Sequence, residues 1–359
     1  MKLLVVGPRD WYSTRDCFVG IVEALQQVGH EVVQYDVAEF LRREDIAVQV
    51  MKQTGVWKQF YGDAEYDSKE FVDLLIKGIV FEAWDNHVDA VLVISGHAVW
   101  NPRIIKAIQD RHIPCVLWLT EEPYKHSDGL IMGQHYDLVL SNDYNSSLGS
   151  PDSWKFLPLA CRPEFHKPLG VRKQYDISFV GYMFTSRSKF FEQAYDYLAS
   201  KKLHFACLGN KWDNSDMSSK VWNLVHPGYW THEPVPQDRA VVIYNQSRIC
   251  LNLHRDEDKN GIVAHTPGPR TWEISACGAF QLVDSTRLGL WDVFEHDEIA
   301  TFDGPEDMVE KCEYYLKHRE EREAMAAKAR ARVLATCTYK HRAESLVQMI
   351  TDMRTKRIN

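Results

Sequence analysis

The stretch Pro267 to Gly278, PGPRTWEISACG, combines residue types suited to an anionic ligand. Its proline–glycine–proline triplet forces an irregular loop, and a helix beginning near Arg270 follows directly. Backbone N–H groups at a helix start form a ready anion site, and an arginine there can clamp a phosphate with two parallel hydrogen bonds. Glu273 lies one turn further in, where a carboxylate can accept hydrogen bonds from a pair of ribose hydroxyls. The same pattern also describes an ordinary helix with an acidic residue in its first turn. Gly278 supplies a residue free to adopt positive φ where the helix ends.

A second stretch, DISFVGYMFTSRSKFF (176–191), runs from an apolar strand to Gly181, through Thr185, Ser186 and Arg187, and into a helix. This strand–Gly–loop–helix shape cradles phosphate. It is neither GxGxxG nor a Walker sequence, which excludes dinucleotide-binding and P-loop readings. Gly181, Arg187, Arg270 and Glu273 all fall at strand-to-helix turns or helix starts of one half of the chain, so all can face one cleft.

The first half offers Gly7-Pro8-Arg9-Asp10, Ser95-Gly96-His97 and Thr120-Glu121-Glu122-Pro123, each just after a strand-like run. His97 can serve as a base, a hydroxyl binder or a structural histidine. Glu121 and Glu122 can position a hydroxyl or transfer a proton, or stand as solvated loop charges. His226, His232, His254 and His265 lack metal-ligand spacing, and Arg255-Asp256-Glu257-Asp258 reads as a hydrophilic turn; no metal is expected.

Strand–helix alternation must hold these groups. Strands are expected at Leu3–Gly7, Glu31–Tyr35, Ala90–Ile94, Cys115–Leu119 and Leu138–Leu140, with helices over 14–28, 68–86 and 101–111. Residues 157–175, with Pro158, Pro163, Pro168 and Gly170, read as a linker. Alternation then resumes with strands at 177–180, 204–208, 249–253 and 280–283 and helices at 187–200 and 270–277. From Pro305 the chain is helical, and 319–335 reads as an exposed helix with oppositely charged neighbours. This is an α/β chain of two facing Rossmann-like domains with a cleft between them. The expected division is 1–165, 166–335, and a helix at 336–359 packing back on the first domain.

With 359 residues the chain exceeds the usual span of one core. Its 45% apolar and 12% aromatic content is unlike that of a disordered protein. A net charge of −8 gives no general attraction to nucleic acid or anionic membrane. The eight cysteines include no CxxC pair and read as reduced, buried thiols. The absence of a leader or of a run of about 20 apolar residues gives the expectation of a cytoplasmic protein with no membrane span.

The motifs and their order resemble the CgeB-like glycosyltransferases, a group 1-related GT-B family. The resemblance rests on WLTEEP (118–123), YDLVLSND (136–143), WKFLPLACRPEFHKP (154–168), DISFVGYMFTSR (176–187), NQSRICLNL (245–253), PGPRTWEISACGAFQLVD (267–284) and ATFDGPEDMVEKCEYYL (300–316). It implies a GT-B fold, and transfer of a hexosyl or pentosyl group from a nucleoside diphosphate sugar to an acceptor hydroxyl, retaining and metal-independent. In the wider retaining group two glutamates eight positions apart flank the donor. Glu273 matches the second, at the ribose, whereas the first position holds His265. By the same resemblance Arg187 and Arg270 bind the donor diphosphate, with no cofactor, and His97, His265 or Glu121 and Glu122 serve the acceptor or the transferred sugar. The acceptor stays open among glycan, small molecule, protein and modified DNA base. Two alternatives stand beside this reading. One is a phage-type DNA glycosyltransferase acting on hydroxymethylated pyrimidines, for which Arg42-Arg43 or Lys201-Lys202 would grip phosphates. The other is a non-catalytic nucleotide-sugar binding protein on the same scaffold.

Overall fold

The computed structural model describes residues 1–7, 12–63, 68–95, 101–152, 154–208, 219–224, 237–255 and 261–358. The chain divides into two compact units, Met1–Pro158 with Tyr339–Asn359, and Leu159–Thr338.

The first unit holds β1 (Lys2–Gly7), β2 (Glu31–Asp36), β3 (Ala90–Ile94), β4 (Cys115–Leu119), β5 (Leu138–Ser141) and β6 (Trp154–Phe156). They form one parallel sheet in the order β2-β1-β3-β4-β5-β6. Every residue of β3 and β4 is buried, as helices on both faces of a parallel sheet require. The helices are α1 (Tyr12–Gln27), α2 (Val37–Gln53), α3 (Val56–Tyr61), α4 (Ser68–Asp85), α5 (Pro102–Gln109), α6 (His126–Gly133) and α7 (Tyr144–Leu148). The sequence reading contains neither α2 nor α3. Asp36 ends β2 and caps α2 directly, its carboxylate accepting from the N–H groups of Ala38 and Glu39, so no loop signal separates strand from helix.

The second unit holds β7 (Tyr175–Tyr182), β8 (Leu203–Leu208), β9 (Ser247–Asn252), β10 (Gln281–Asp284) and β11 (Ala300–Phe302). These also pair in parallel, in the order β11-β10-β9-β7-β8. Around them lie α8 (Thr185–Gln193), α9 (Tyr195–Ala199), α10 (Ser219–Leu224), α11 (Gln237–Gln246), α12 (Pro269–Ala276), α13 (Gly304–Lys317) and α14 (Arg319–Thr336). The single helix expected over 187–200 is two, parted at Ala194 (φ −98°, ψ 11°). Phe191, Ala194 and Leu198 share one core with Phe179 and Phe205, so apolar periodicity carries no sign of the break. The last helix, α15 (Tyr339–Ile358), belongs to the first unit. The Tyr339 ring lies against Gly20 of α1 where a Cβ would stand, and edge-on to Trp118 at 6.5 Å.

In each sheet the first strand is flanked by strands reached in opposite directions, β1 by β2 and β3, β7 by β8 and β9. The carboxyl ends at such a reversal form the crevice where open α/β sheets bind ligands. None of the helices among the described residues is long and apolar enough to cross a membrane.

Candidate functional site

The reversal in the second sheet falls between β7 and β9. Gly181 is the penultimate residue of β7. A Cβ there would overlap Arg270 Nη2 and stand 3.0 Å from its Cζ, so the glycine is the space through which the arginine passes. Arg270 is half-buried at the second position of α12, behind Gly268 and Pro269. Its guanidinium lies 5.4 Å from the Phe179 ring centre, and Nη1 donates weakly to Asn252 Oδ1 (3.3 Å) and the Leu253 carbonyl (3.4 Å). Arg270 is thus held across the ends of β7 and β9 by long contacts that a phosphate can replace.

Arg187 is placed differently. It is buried in the first turn of α8; Nη1 donates to the Tyr182 carbonyl at 2.7 Å and Nη2 to the Leu253 carbonyl at 2.6 Å. These bonds fasten the end of β7 to the end of β9. A third arginine, Arg287 beyond β10, is buried and donates to the carbonyls of Arg255 and Ala264.

A buried polar network seats α12. Asn252 Nδ2 donates to Thr271 Oγ1 (3.0 Å) and Gln281 Oε1 (3.1 Å), and Gln281 Nε2 donates to the Thr271 carbonyl (2.8 Å) and Ser275 Oγ (2.6 Å). Fixing one face of α12 fixes the azimuth of Arg270 and Glu273. Glu273 is buried, three residues beyond Arg270. Burial, and then the Glu273 charge, push the neighbouring Tyr244 phenol well up. Gly278 closes the helix at φ +65°.

His254 and Asp284 form a pair absent from the sequence reading. His254 follows β9, Asp284 ends β10, and both are buried. Asp284 Oδ2 lies 3.0 Å from His254 Nδ1 and accepts the His254 backbone N–H. Burial alone would raise the Asp284 carboxyl, but the imidazole and these hydrogen bonds hold it well below the usual range. Burial lowers His254, against the opposing pull of Asp284. The signal available in sequence was Asn252-Leu253-His254 closing an apolar strand, polar residues where a buried strand meets its carboxyl edge.

His265 is held by the segment that follows β10. Its Nε2 lies 2.6 Å from Asp292 Oδ2 and its carbonyl accepts the Gly289 N–H at 2.9 Å. A Cβ on Gly289 would come within 2.7 Å of that carbonyl.

In the first unit, Glu122 is 3% exposed, with Oε2 2.5 Å from His126 Nδ1. Its N–H donates to Asn142 Oδ1 at 2.9 Å, and burial raises its carboxyl despite the imidazole. It joins the end of β4 to α6 and β5. Glu121 beside it is half-buried. His97 lies outside the described residues, as do Pro8, Arg9, Asp10 and Gly96.

Two parallel sheets, each with its own reversal, and an arginine-bearing carboxyl edge on the second describe a GT-B fold. Residues 187–348 match the model of a family described as glycosyl transferase-like. Spore protein CgeB of Bacillus subtilis is 26% identical over 235 residues, covering 61% of this chain and 70% of that protein. Among solved structures, an alpha-glucosyltransferase bound to UDP and a 13-mer DNA aligns with TM-score 0.65 and 15% identity, over 98% of this chain and 100% of that one. Sucrose-phosphate synthase from Thermosynechococcus elongatus aligns with TM-score 0.61 and 11% identity, over 99% and 100% of the two chains. Anabaena HepE in complex with UDP and glucose aligns with TM-score 0.61 and 10% identity, over 98% and 100%. The chain is a glycosyltransferase with the GT-B fold, similar to spore protein CgeB over 61% of its length.

Proposed function

We propose that the enzyme moves a sugar from a nucleoside diphosphate sugar to an acceptor hydroxyl, without a divalent metal and with retention of configuration. The carrying observation is Arg270, threaded over Gly181 to the reversal of the second sheet by contacts of 3.3 and 3.4 Å. The donor diphosphate lies against Arg270 and the first N–H groups of α12, with Glu273 at the ribose. Arg187 keeps the ends of β7 and β9 in register beneath it. In the reaction the acceptor oxygen forms the new bond to C1 and the bond from C1 to the β-phosphate oxygen breaks. The electron pair leaves on the diphosphate, where Arg270 meets the developing charge in place of a metal, and the acceptor proton passes to the departing phosphate oxygen. Glu121 is the acceptor-side candidate of the first unit, since the Glu122 carboxylate is engaged by His126. Retention rests on the resemblance to group 1 enzymes.

Titration calorimetry against uridine, guanosine, adenosine and thymidine diphosphates tests the donor assignment. One of the four should bind at micromolar to millimolar concentration in the presence of EDTA; no binding by any of them would sink the reading. Proton NMR of sugar released early from the hydrolysed donor checks the stereochemistry.

A second reading is favoured by the likeness to the alpha-glucosyltransferase bound to DNA. Here the acceptor is a hydroxymethylated pyrimidine in DNA, against the net charge of −8. Gel shifts with hydroxymethylated and plain duplexes at low salt separate the two acceptor classes.

A further inference from the structure

We propose that His254 is a second ligand of the donor diphosphate, oriented by Asp284 and taking up a proton on Nε2 as the diphosphate arrives. The inference rests on the donor reading above and adds a residue to that site.

Three observations carry it. First, the imidazole is nine-tenths buried and neither ring nitrogen makes a well-aligned hydrogen bond among the described residues, Nδ1 having only its 3.0 Å contact with Asp284 and Nε2 none. A buried ring nitrogen left in that state calls for an explanation. Second, the ring is oriented. Nδ1 lies on the Asp284 side at 3.0 Å, while Cδ2, on the opposite side of the ring and bonded to Nε2, is 3.9 Å from where a Cβ on Gly268 would stand. Gly268 is the residue that starts α12, so the Nε2 edge faces the helix N-terminus that Arg270 also serves. Third, the surroundings suit an arriving anion. The charged groups acting on the ring are Asp284 from β10, Arg287 from the turn after it, and Arg270 from α12. Burial, and then the two arginines, favour the neutral imidazole against the pull of ionised Asp284. A diphosphate offsets the arginine charges and leaves Asp284 and the phosphate oxygens on either side of the ring. Protonation of Nε2 then turns a lone pair into a charge-assisted donor. Asp284 acts through the ring and is a positioning residue.

The test uses the full-length protein and whichever of the four nucleoside diphosphates binds. Affinity is measured from pH 5.5 to 8.5, in two buffers of different ionisation enthalpy, for the wild type, His254→Gln, His254→Ala and Asp284→Asn. The free diphosphate titrates near pH 6 on its own, so each profile is read relative to His254→Gln, which retains a side-chain donor but cannot take up a proton. The wild type should take up a fraction of a proton on binding and lose about tenfold more affinity across the range than His254→Gln. His254→Ala should bind about 10–100-fold more weakly at pH 6, and His254→Gln should recover part of that loss with a flat profile. Asp284→Asn should shift the profile while retaining binding, an outcome a purely structural carboxylate would not give. Wild-type affinity and pH profile in a folded His254→Ala or His254→Gln would overturn the inference. Loss of binding in Arg270→Ala beside unchanged His254 variants would overturn it alone and leave the donor reading standing. Failure of the wild type to bind any of the four would overturn both.

Discussion

The two sheets share a plan, and their carboxyl edges are used in opposite ways. In the first unit most polar groups at that edge are turned back onto the fold, with Thr120 Oγ1 and Glu122 Oε1 left without a partner among the described residues. Glu122 is engaged by His126, Asn142 accepts the Glu122 N–H, and Asp143 accepts the Ser146 N–H that starts α7. In the second unit Arg270 is held at the edge by long contacts over a glycine, and a network of Asn252, Thr271, Gln281 and Ser275 supports the helix that carries it. The contrast recurs within the second edge. Arg187 and Arg270 lie 5.7 and 5.4 Å from the same Phe179 ring, yet Arg187 donates closely to two backbone carbonyls. Charge at a strand end therefore does not by itself mark a ligand site. What marks one is hydrogen-bonding capacity that the fold has not already consumed.

The strongest way to break this comparison is Arg270→Ala. Loss of one charge-assisted clamp on a leaving diphosphate should lower kcat/KM for the donor by about 10²–10³-fold, roughly 3–4 kcal/mol. The unfolding midpoint should stay within a few degrees of wild type, because the guanidinium makes only weak contacts. Equal loss of activity and of fold would place Arg270 with Arg187 as a strut.

Asp284 bears on the second edge through acid stability. Its folded carboxyl lies below the ordinary 3.8, so it contributes stability that is present above that pH and lost as pH falls further. Denaturant titrations between pH 3 and 5 should show a steeper loss in the wild type than in Asp284→Asn, by about 1 kcal/mol over the range. Parallel curves would mean the imidazole and the backbone N–H do not hold that carboxylate.

Gly181→Ala asks whether the glycine serves the backbone or the arginine. The added methyl meets the far end of a flexible side chain, so folding should be nearly unaffected. The guanidinium should be displaced and donor affinity should fall about tenfold, roughly 1.4 kcal/mol, as isothermal titration would read it. A drop in midpoint with full affinity would reverse the assignment.

Much of the architecture was legible because buried parallel strands announce themselves as short apolar runs, and the proline–glycine–proline triplet marks where α12 begins. The helices over 37–61 were not, since Asp36 joins strand to helix with no intervening loop. At the site, local sequence identifies Gly181 and Arg270 as residues at turns, but not that one is the passage for the other across 89 positions of chain. The pairing of His254 with Asp284, and of Arg187 with the Leu253 carbonyl, is likewise long-range. A single sequence carries residue type and periodicity. Which strand end meets which is decided by sheet order, and that is where these pairings arise.

The smallest expected effect tests the first edge. Burial raises the Glu122 carboxyl, and a raised acid contributes stability that is full below its unfolded value of 4.5 and is lost as pH rises through the folded value. Ionising this side chain is therefore a cost that His126 only partly offsets. Glu122→Gln keeps a group able to hydrogen-bond the imidazole while removing the charge. Its unfolding midpoint at pH 7.5 should match or slightly exceed wild type, a change of less than about 1 kcal/mol. Donor KM and kcat should be unchanged. Glu122→Ala leaves the buried imidazole of His126 without its partner and should lose about 1–3 kcal/mol, again with donor KM unaltered. Loss of turnover in a fully folded Glu122→Gln would make Glu122 a reacting group, and the first edge would then be open chemistry like the second.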